Sequence, residues 1–176
     1  MREKDELRVE SGVMRIEQQV AIDAPPARVF EALTKRLSAW WGAPYLIGVG
    51  ARDLIVEPRL GGRVYEDWGG GAGALWATVT SIRKNEHIEW TGRIGMGGAV
   101  IGVVMYRLEP SENGTVLRLS HRAAGDLAPE TERNYSRGWQ DLLGTRLRAF
   151  LEEGERRGLR KGAARTAART TGKQRG

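Results

Sequence analysis

Between residues 14 and 122, apolar and polar residues alternate in short runs, which is the pattern of β-strands that bury one face. Turn-forming residues separate the runs, and Pro110 to Gly114 is a clear hairpin turn because it ends in Asn-Gly. The alternation predicts strands at 14–23, 51–58, 63–68, 75–82, 87–93, 99–109 and 115–122. Short turns between successive strands favour antiparallel pairing, so we predict a sheet of about six or seven strands with one apolar face.

Helical patterns occupy the two remaining parts of the chain. After the first strand, Asp23-Ala-Pro-Pro26 begins a helix that we extend to Leu37, and Ser38 caps a second short helix that ends at Trp41. A long helix is predicted from Pro129 to Glu153. Its apolar stripe consists of Tyr135, Trp139, Leu142, Leu143, Leu147, Phe150 and Leu151.

An amphipathic helix and a sheet with one apolar face each need a partner to cover their apolar side. One long helix laid across a curved antiparallel sheet satisfies both, which predicts an α+β fold. Because side chains need not fill the space between two such layers completely, this arrangement also favours a ligand pocket between the sheet and the helix.

Composition divides the chain into three parts: a loose N-terminal extension at 1–13, the folded domain at 14–154 and a disordered basic tail at 155–176. The tail carries eight basic residues and one acidic residue, so it accounts for the net charge of +6. Such a tail favours weak, nonspecific contact with nucleic acid, although it has no aromatic residue to stack on bases.

Cysteine is absent, which excludes disulfides, thiolate nucleophiles and cysteine-ligated metals. The chain has two separated histidines, so we predict no metal site and no cofactor. No apolar run is long enough for a membrane helix, and the charged start does not resemble a signal peptide. We therefore expect a cytoplasmic monomer or homodimer without a membrane partner.

Three polar residues are weak candidates for chemistry: His121, Glu66 and Tyr106. Alternation places His121 on the face of Leu117 and Leu119, where it could act as a general base. We prefer the interpretation that His121 lies at the rim of the sheet and is satisfied by one hydrogen bond. Glu66 shares the inward face, where it could orient a ligand. We prefer the interpretation that Glu66 forms a salt bridge at the strand edge. Glu89 has the opposite parity, so no pair of catalytic carboxylates is predicted. We therefore assign no catalytic residue.

Six tryptophans in a small chain indicate an aromatic interior. Parity places Trp76 on the outer face, with Thr78 and Thr80. The residues predicted to line a cavity are Trp40, Trp41, Val64, Trp68, Trp90, Tyr106, Leu119, His121, Trp139 and Leu143.

Several short sequence motifs, taken in order, carry a family resemblance. They are Ile22-Asp-Ala-Pro25, Val29-Phe-Glu-Ala-Leu33, Ala39-Trp-Trp-Gly42, Arg59-Leu-Gly-Gly-Arg63, Thr115-Val-Leu-Arg-Leu-Ser-His121 and Gly138-Trp139. Over about residues 14–154 the chain resembles the SRPBCC superfamily of START-like and birch-pollen-allergen-like domains. Within it, the chain is similar to the branch named after the C-terminal domain of the activator of the heat-shock chaperone ATPase. The resemblance implies a helix-grip fold with a cavity between the sheet and the C-terminal helix.

Binding of an unidentified hydrophobic small molecule, with no chemistry of its own, is the function we favour. A cyclase- or aromatase-like enzyme acting in the same cavity is the alternative, and a cluster of polar groups in the cavity would favour it. Two further hypotheses are partner binding of the chaperone-activator kind and recruitment of nucleic acid by the tail.

Overall fold

The computed structural model describes residues 11–51 and 53–154 of the chain. The elements begin with β1 (Ser11–Ile22), α1 (Pro26–Thr34) and a 3₁₀ turn (Leu37–Ala39). The remaining strands are β2 (Asp53–Val56), β3 (Arg63–Gly69), β4 (Ala72–Arg83), β5 (His87–Gly92), β6 (Val100–Ser111) and β7 (Gly114–Asp126). The C-terminal helix then covers residues 131–154. Residues 1–10 of the extension predicted at 1–13, and the basic tail predicted at 155–176, lie outside the described residues, whereas residues 11–13 belong to β1.

The seven strands of the described residues form one curved antiparallel sheet in the order β1-β7-β6-β5-β4-β3-β2. Successive strands from β2 to β7 are neighbours, and β1 pairs with β7 at the far edge. The C-terminal helix lies on the inward face, where the Gln18 side chain of β1 donates to the Ser136 carbonyl at 2.8 Å. The predicted α+β helix-grip fold is confirmed. Among the described helices, none has the length and hydropathy needed to cross a membrane.

Element boundaries differ from the predicted ones near the N-terminus. β1 begins at Ser11, three residues before the predicted start at Met14. The first helix ends at Thr34, and the predicted second helix is a single 3₁₀ turn. Ser38 does not cap it, because the Ser38 hydroxyl donates to the Leu54 carbonyl at 3.0 Å instead and ties the turn to β2.

Two irregularities in strand pairing change which side chains face inward. Val64 pairs with Ala77 and Tyr65 with Leu75, so Trp76 is an extra residue in β4. Trp76 and Ala77 are consequently both buried, and the predicted outward orientation of Trp76 is wrong. A second shift near Asp67 leaves Trp68 40% exposed, so its predicted inward position is also wrong.

The C-terminal helix changes its winding in the middle. Residues Thr131–Trp139 are α-helical, Gln140–Leu147 form a π-helical segment, and 148–154 are α-helical again. The wide π turns start directly after Trp139, and segments of this kind occur frequently at functional sites. The buried stripe of the helix consists of Trp139, Leu142, Leu143, Leu147 and Leu151.

His121 lies in the interior of the fold rather than at the sheet's rim. It is fully buried on β7, between Ile16 of β1 and Val104 of β6. Its Nδ1 accepts a hydrogen bond from Trp139 Nε1 at 3.0 Å, and its ring contacts Tyr135 and Trp139, which are uncharged. Burial lowers the pKa of His121 from its usual 6.5 to about 4, so the ring is neutral at pH 7.

This lowered pKa predicts an acid-dependent loss of stability. Between pH 6.5 and pH 4 the unfolded chain binds a proton at His121 that the folded chain does not, so the free energy of unfolding falls as the pH falls through this window. The loss amounts to about 3 kcal/mol for a shift of this size, and the contribution is fully present above pH 6.5. Urea unfolding at a series of pH values measures it.

The variant His121→Asn removes the titrating group while its amide oxygen can still accept from Trp139. The matched control is His87→Asn, at the half-buried histidine that bonds Ser81. We expect the pH dependence between 6.5 and 4 to be reduced in the first variant and retained in the second. Equal pH dependence in wild type and His121→Asn would contradict the assignment.

Candidate ligand-binding cavity

A cavity of about 320 Å³ lies between the sheet and the first half of the C-terminal helix. Trp41 and residues 44–47 of the loop after the 3₁₀ turn form one wall. On the sheet side it is lined by Trp76, Ile94 and Gly95, and on the helix by Asn134, Tyr135, Gly138, Trp139 and Leu142. The cavity lies between the two layers where a pocket was predicted, and its role as a ligand site stays a prediction.

Three tryptophans form the aromatic part of the lining together with Tyr45 and Tyr135. The Trp41 ring meets Trp76 and Trp139 edge to face, with centroids 5.8 and 5.5 Å apart. Each indole N–H is bonded within the protein: Trp41 to the Tyr45 carbonyl, Trp76 to Glu66 and Trp139 to His121. Because all three donors are used, these rings offer the cavity only their carbon surfaces.

Glu66 attaches the cavity wall to the sheet. Its carboxylate is fully buried and accepts hydrogen bonds at 2.5–3.1 Å from the backbone N–H groups of Ile47 and Gly48 and the indoles of Trp68 and Trp76. The inward position predicted for Glu66 is correct, whereas the preferred salt bridge at the strand edge is wrong. With four donors already on its oxygens, this carboxylate positions the loop rather than a ligand.

The other end of the loop is attached to the helix. Arg146 donates to the carbonyl oxygens of Gly42 and Ala43, stacks over the Tyr45 ring and pairs with Asp141 at 3.0 Å. The Tyr45 hydroxyl also donates to Asp141, at 2.9 Å. Burial, followed by the bond to Asp141, raises the pKa of Tyr45 above its usual value. The loop is therefore held to both layers that it connects.

The wall on the sheet side includes a strained residue. Ile94 has φ +51°, in the left-handed region that β-branched residues rarely adopt, at a cost of order 1–3 kcal/mol. Its N–H is bonded to the Trp76 carbonyl, which holds the turn against the cavity. Gly95 follows with φ +75°, and a Cβ there would lie 2.9 Å from the Trp76 ring. Glycine at this position lets the turn approach the indole.

The predicted lining residues are distributed over three environments. Trp41 and Trp139 line the cavity. Trp68 lies on the surface. Seven residues are buried in the core and do not contact this cavity: Trp40, Val64, Trp90, Tyr106, Leu119, His121 and Leu143. In the structure these seven side chains are packed inside the core instead of facing this cavity. Any role of Trp41 and Trp139 in binding stays a prediction.

Sequence reasoning missed most of the wall. Residues 44–47, Pro-Tyr-Leu-Ile, follow Ala43 and belong to no predicted strand or helix, and this apolar run was the available signal. No signal was available for Trp76, because a bulge does not change the sequence pattern.

Among the described residues, no three side chains of histidine, aspartate or glutamate come together as a metal site.

Loss of the Glu66 carboxylate is expected to loosen the wall of the cavity. Glu66→Gln replaces one acceptor oxygen by an amide nitrogen, so two of the four donors lose their acceptor. We expect the free energy of unfolding to fall by about 2 kcal/mol or more, and the Ile47 and Gly48 amides to exchange faster with solvent. Denaturant unfolding and hydrogen exchange measure the two effects.

Glu89→Gln is the matched control, because Glu89 is half-buried on the outer face and accepts from the Thr80 hydroxyl. We expect this variant to leave the exchange of Ile47 and Gly48 unchanged. Unchanged stability and exchange in Glu66→Gln would show that the loop does not depend on the carboxylate.

Solved structures from several bacteria share the fold. A protein from Rhizobium leguminosarum superimposes with a TM-score of 0.61 at 19% identity, over 82% of this chain and 97% of that one. A protein from Chromobacterium violaceum superimposes with a TM-score of 0.59 at 24% identity, over 79% of this chain and 98% of that one. The Aha1 dimer from Colwellia psychrerythraea superimposes with a TM-score of 0.54 at 22% identity, over 79% of this chain and 96% of that one. At these identities the likeness concerns the fold alone.

The sequence itself also identifies a family. No curated protein matches the chain at a significant level. Residues 23–152 match the family described as "Activator of Hsp90 ATPase homolog 1-like protein", and this match covers most of the chain and both layers of the fold. The chain therefore belongs to the activator of Hsp90 ATPase homolog 1-like protein family.

Proposed function

We propose that this protein binds a compact, uncharged aromatic molecule in the cavity between the sheet and the C-terminal helix. The observation that carries the proposal is the orientation of Trp41, Trp76 and Trp139, whose N–H groups are all bonded away from the cavity. Their carbon surfaces suit the faces and edges of another aromatic ring system.

Charge and size narrow the ligand class. None of the described residues that line the cavity is acidic or basic, so an ionic ligand would lose its hydration without gaining a partner among them. The volume of about 320 Å³ lies at the lower end of the ~300–1,000 Å³ found for small-molecule sites. A compact ring system fits this space better than a long lipid chain.

Binding without chemistry is favoured over a cyclase-like reaction. None of the three polar candidates contacts the cavity: Glu66 is saturated with donors, and Tyr106 and His121 lie beyond Trp139. The chaperone activation named in the family's description is not proposed for this chain, since fold and family membership do not transfer a partner. We further propose the cytoplasm as the compartment, in line with the absence of cysteine.

A blocked cavity is expected to abolish binding. Gly138 lies on the helix where a Cβ would come 3.2 Å from the Tyr45 ring, so Gly138→Leu places a side chain into the cavity. Titration with the neutral fluorescent naphthalene derivative N-phenyl-1-naphthylamine measures the dissociation constant. We expect it to rise at least ~10-fold, the equivalent of losing about 1.4 kcal/mol of contact.

Gly144→Leu is the matched control, because Gly144 lies on the same helix and a Cβ there would meet nothing within 4 Å. We expect this variant to bind the naphthalene derivative like wild type. No saturable binding to wild type, or equal binding to both variants, would show that the cavity is not the site.

A further inference from the structure

A group of unused hydrogen-bond donors lies directly behind the cavity. Among the side chains that the structure describes, three buried polar atoms have no hydrogen-bond partner: Trp90 Nε1, Tyr106 Oη and His121 Nε2. All three residues are fully buried. Because buried polar groups are nearly always paired, three unpaired ones in neighbouring residues call for a physical explanation.

The three residues form one contiguous patch on the inward face of β5, β6 and β7. Trp90 and His121 both pair with Val104, from opposite sides, and Tyr106 follows Val104 by two residues on the same face. The Trp90 and Tyr106 rings are 5.0 Å apart. We call these three residues the donor patch.

All three unpaired atoms carry a hydrogen. The indole nitrogen of Trp90 is a donor only, and the Tyr106 hydroxyl can donate. The His121 ring is neutral and its Nδ1 accepts from Trp139, so its proton is on Nε2. The donor patch therefore presents three N–H or O–H groups without an acceptor. A molecule that supplies an oxygen acceptor would satisfy two of them.

Trp139 lies between the cavity and two members of the donor patch, Tyr106 and His121. One side of its ring lines the cavity, and its centroid lies 6.0 Å from that of Tyr106 and 5.8 Å from that of His121. Its Nε1 holds it to His121 through a single hydrogen bond of 3.0 Å. A rotation of this one side chain away from His121 would join the cavity to the donor patch.

We propose that the ligand of the cavity is an aromatic ketone or quinone whose carbonyl oxygen takes the place of the Trp139 indole and accepts hydrogen bonds from Tyr106 and His121, the two donors next to that ring. This inference rests on the proposed function and deepens it, because the lining of the cavity selects the rings and the donor patch selects the oxygen. A hydrocarbon of the same shape would occupy the cavity without using the donor patch.

Two molecules of matched shape test this inference: 9-fluorenone, which has one carbonyl group, and fluorene, which has a methylene group in its place. Calorimetric titration of the wild-type chain gives both dissociation constants, and infrared spectroscopy gives the carbonyl stretch of bound 9-fluorenone. We expect 9-fluorenone to bind at least about fivefold more tightly than fluorene, the effect of one hydrogen bond, and its stretch to shift to lower wavenumber.

The variant Tyr106→Phe removes one donor from the donor patch. Because the Tyr106 hydroxyl is unpaired, its removal leaves no other group without a hydrogen-bond partner. It is therefore expected to fold as stably as wild type. We expect this variant to raise the dissociation constant of 9-fluorenone about fivefold and to leave that of fluorene unchanged. It should also reverse part of the shift of the carbonyl stretch. Tyr65→Phe is the matched control, since Tyr65 is half-buried under Arg63 and does not line the cavity.

The outcomes separate the two proposals. If neither molecule binds, and the naphthalene derivative does not bind either, both the proposed function and this inference fail. If 9-fluorenone and fluorene bind equally, and Tyr106→Phe changes neither the affinity nor the carbonyl stretch, the cavity is a site for apolar rings and the inference about the donor patch is wrong.

Discussion

The buried carboxylate of Glu66 is the constraint on which the cavity depends. A fully buried carboxylate is costly unless its oxygens are satisfied, and here two backbone N–H groups and two indoles satisfy them. These bonds fix the Ile47–Gly48 backbone and the Trp76 ring in one geometry. On the opposite side, Arg146 and Asp141 hold the start of the same loop to the helix. The loop therefore spans the gap between sheet and helix and keeps it open.

Two different surfaces meet at Trp139. On the cavity side, the indole N–H groups of the lining tryptophans are turned into the protein, which leaves a carbon surface suited to an apolar ring. On the other side, Tyr106 and His121 present polar atoms that have no partner. The π-helical segment begins at the residue after Trp139, so the helix departs from regular winding where these surfaces join. This combination would let one molecule be recognised by shape first and by its oxygen second.

Much of the fold could be predicted because alternation and helical spacing reflect which face each residue buries. The inward positions of Glu66, Tyr106 and His121 follow from parity alone. Whether an inward residue packs in the core or lines a cavity depends on the distance between the helix and the sheet. The local sequence does not determine that distance. The prediction for Trp76 was wrong because the bulge in β4 shifts its parity. Three of the four donors to Glu66 belong to residues 47, 48 and 76, which only the tertiary structure brings close to the carboxylate.

The most direct test of a site between Trp41, Trp76 and Trp139 is the set of indole ¹H–¹⁵N resonances recorded while naphthalene is titrated into the protein. The six tryptophans give six indole signals, which single Trp→Phe variants assign. We expect the signals of Trp41, Trp76 and Trp139 to shift in a saturable manner, while that of Trp90, whose ring contacts none of these three, changes least. Unshifted signals from the three lining tryptophans, or equal shifts of all six, would contradict this expectation.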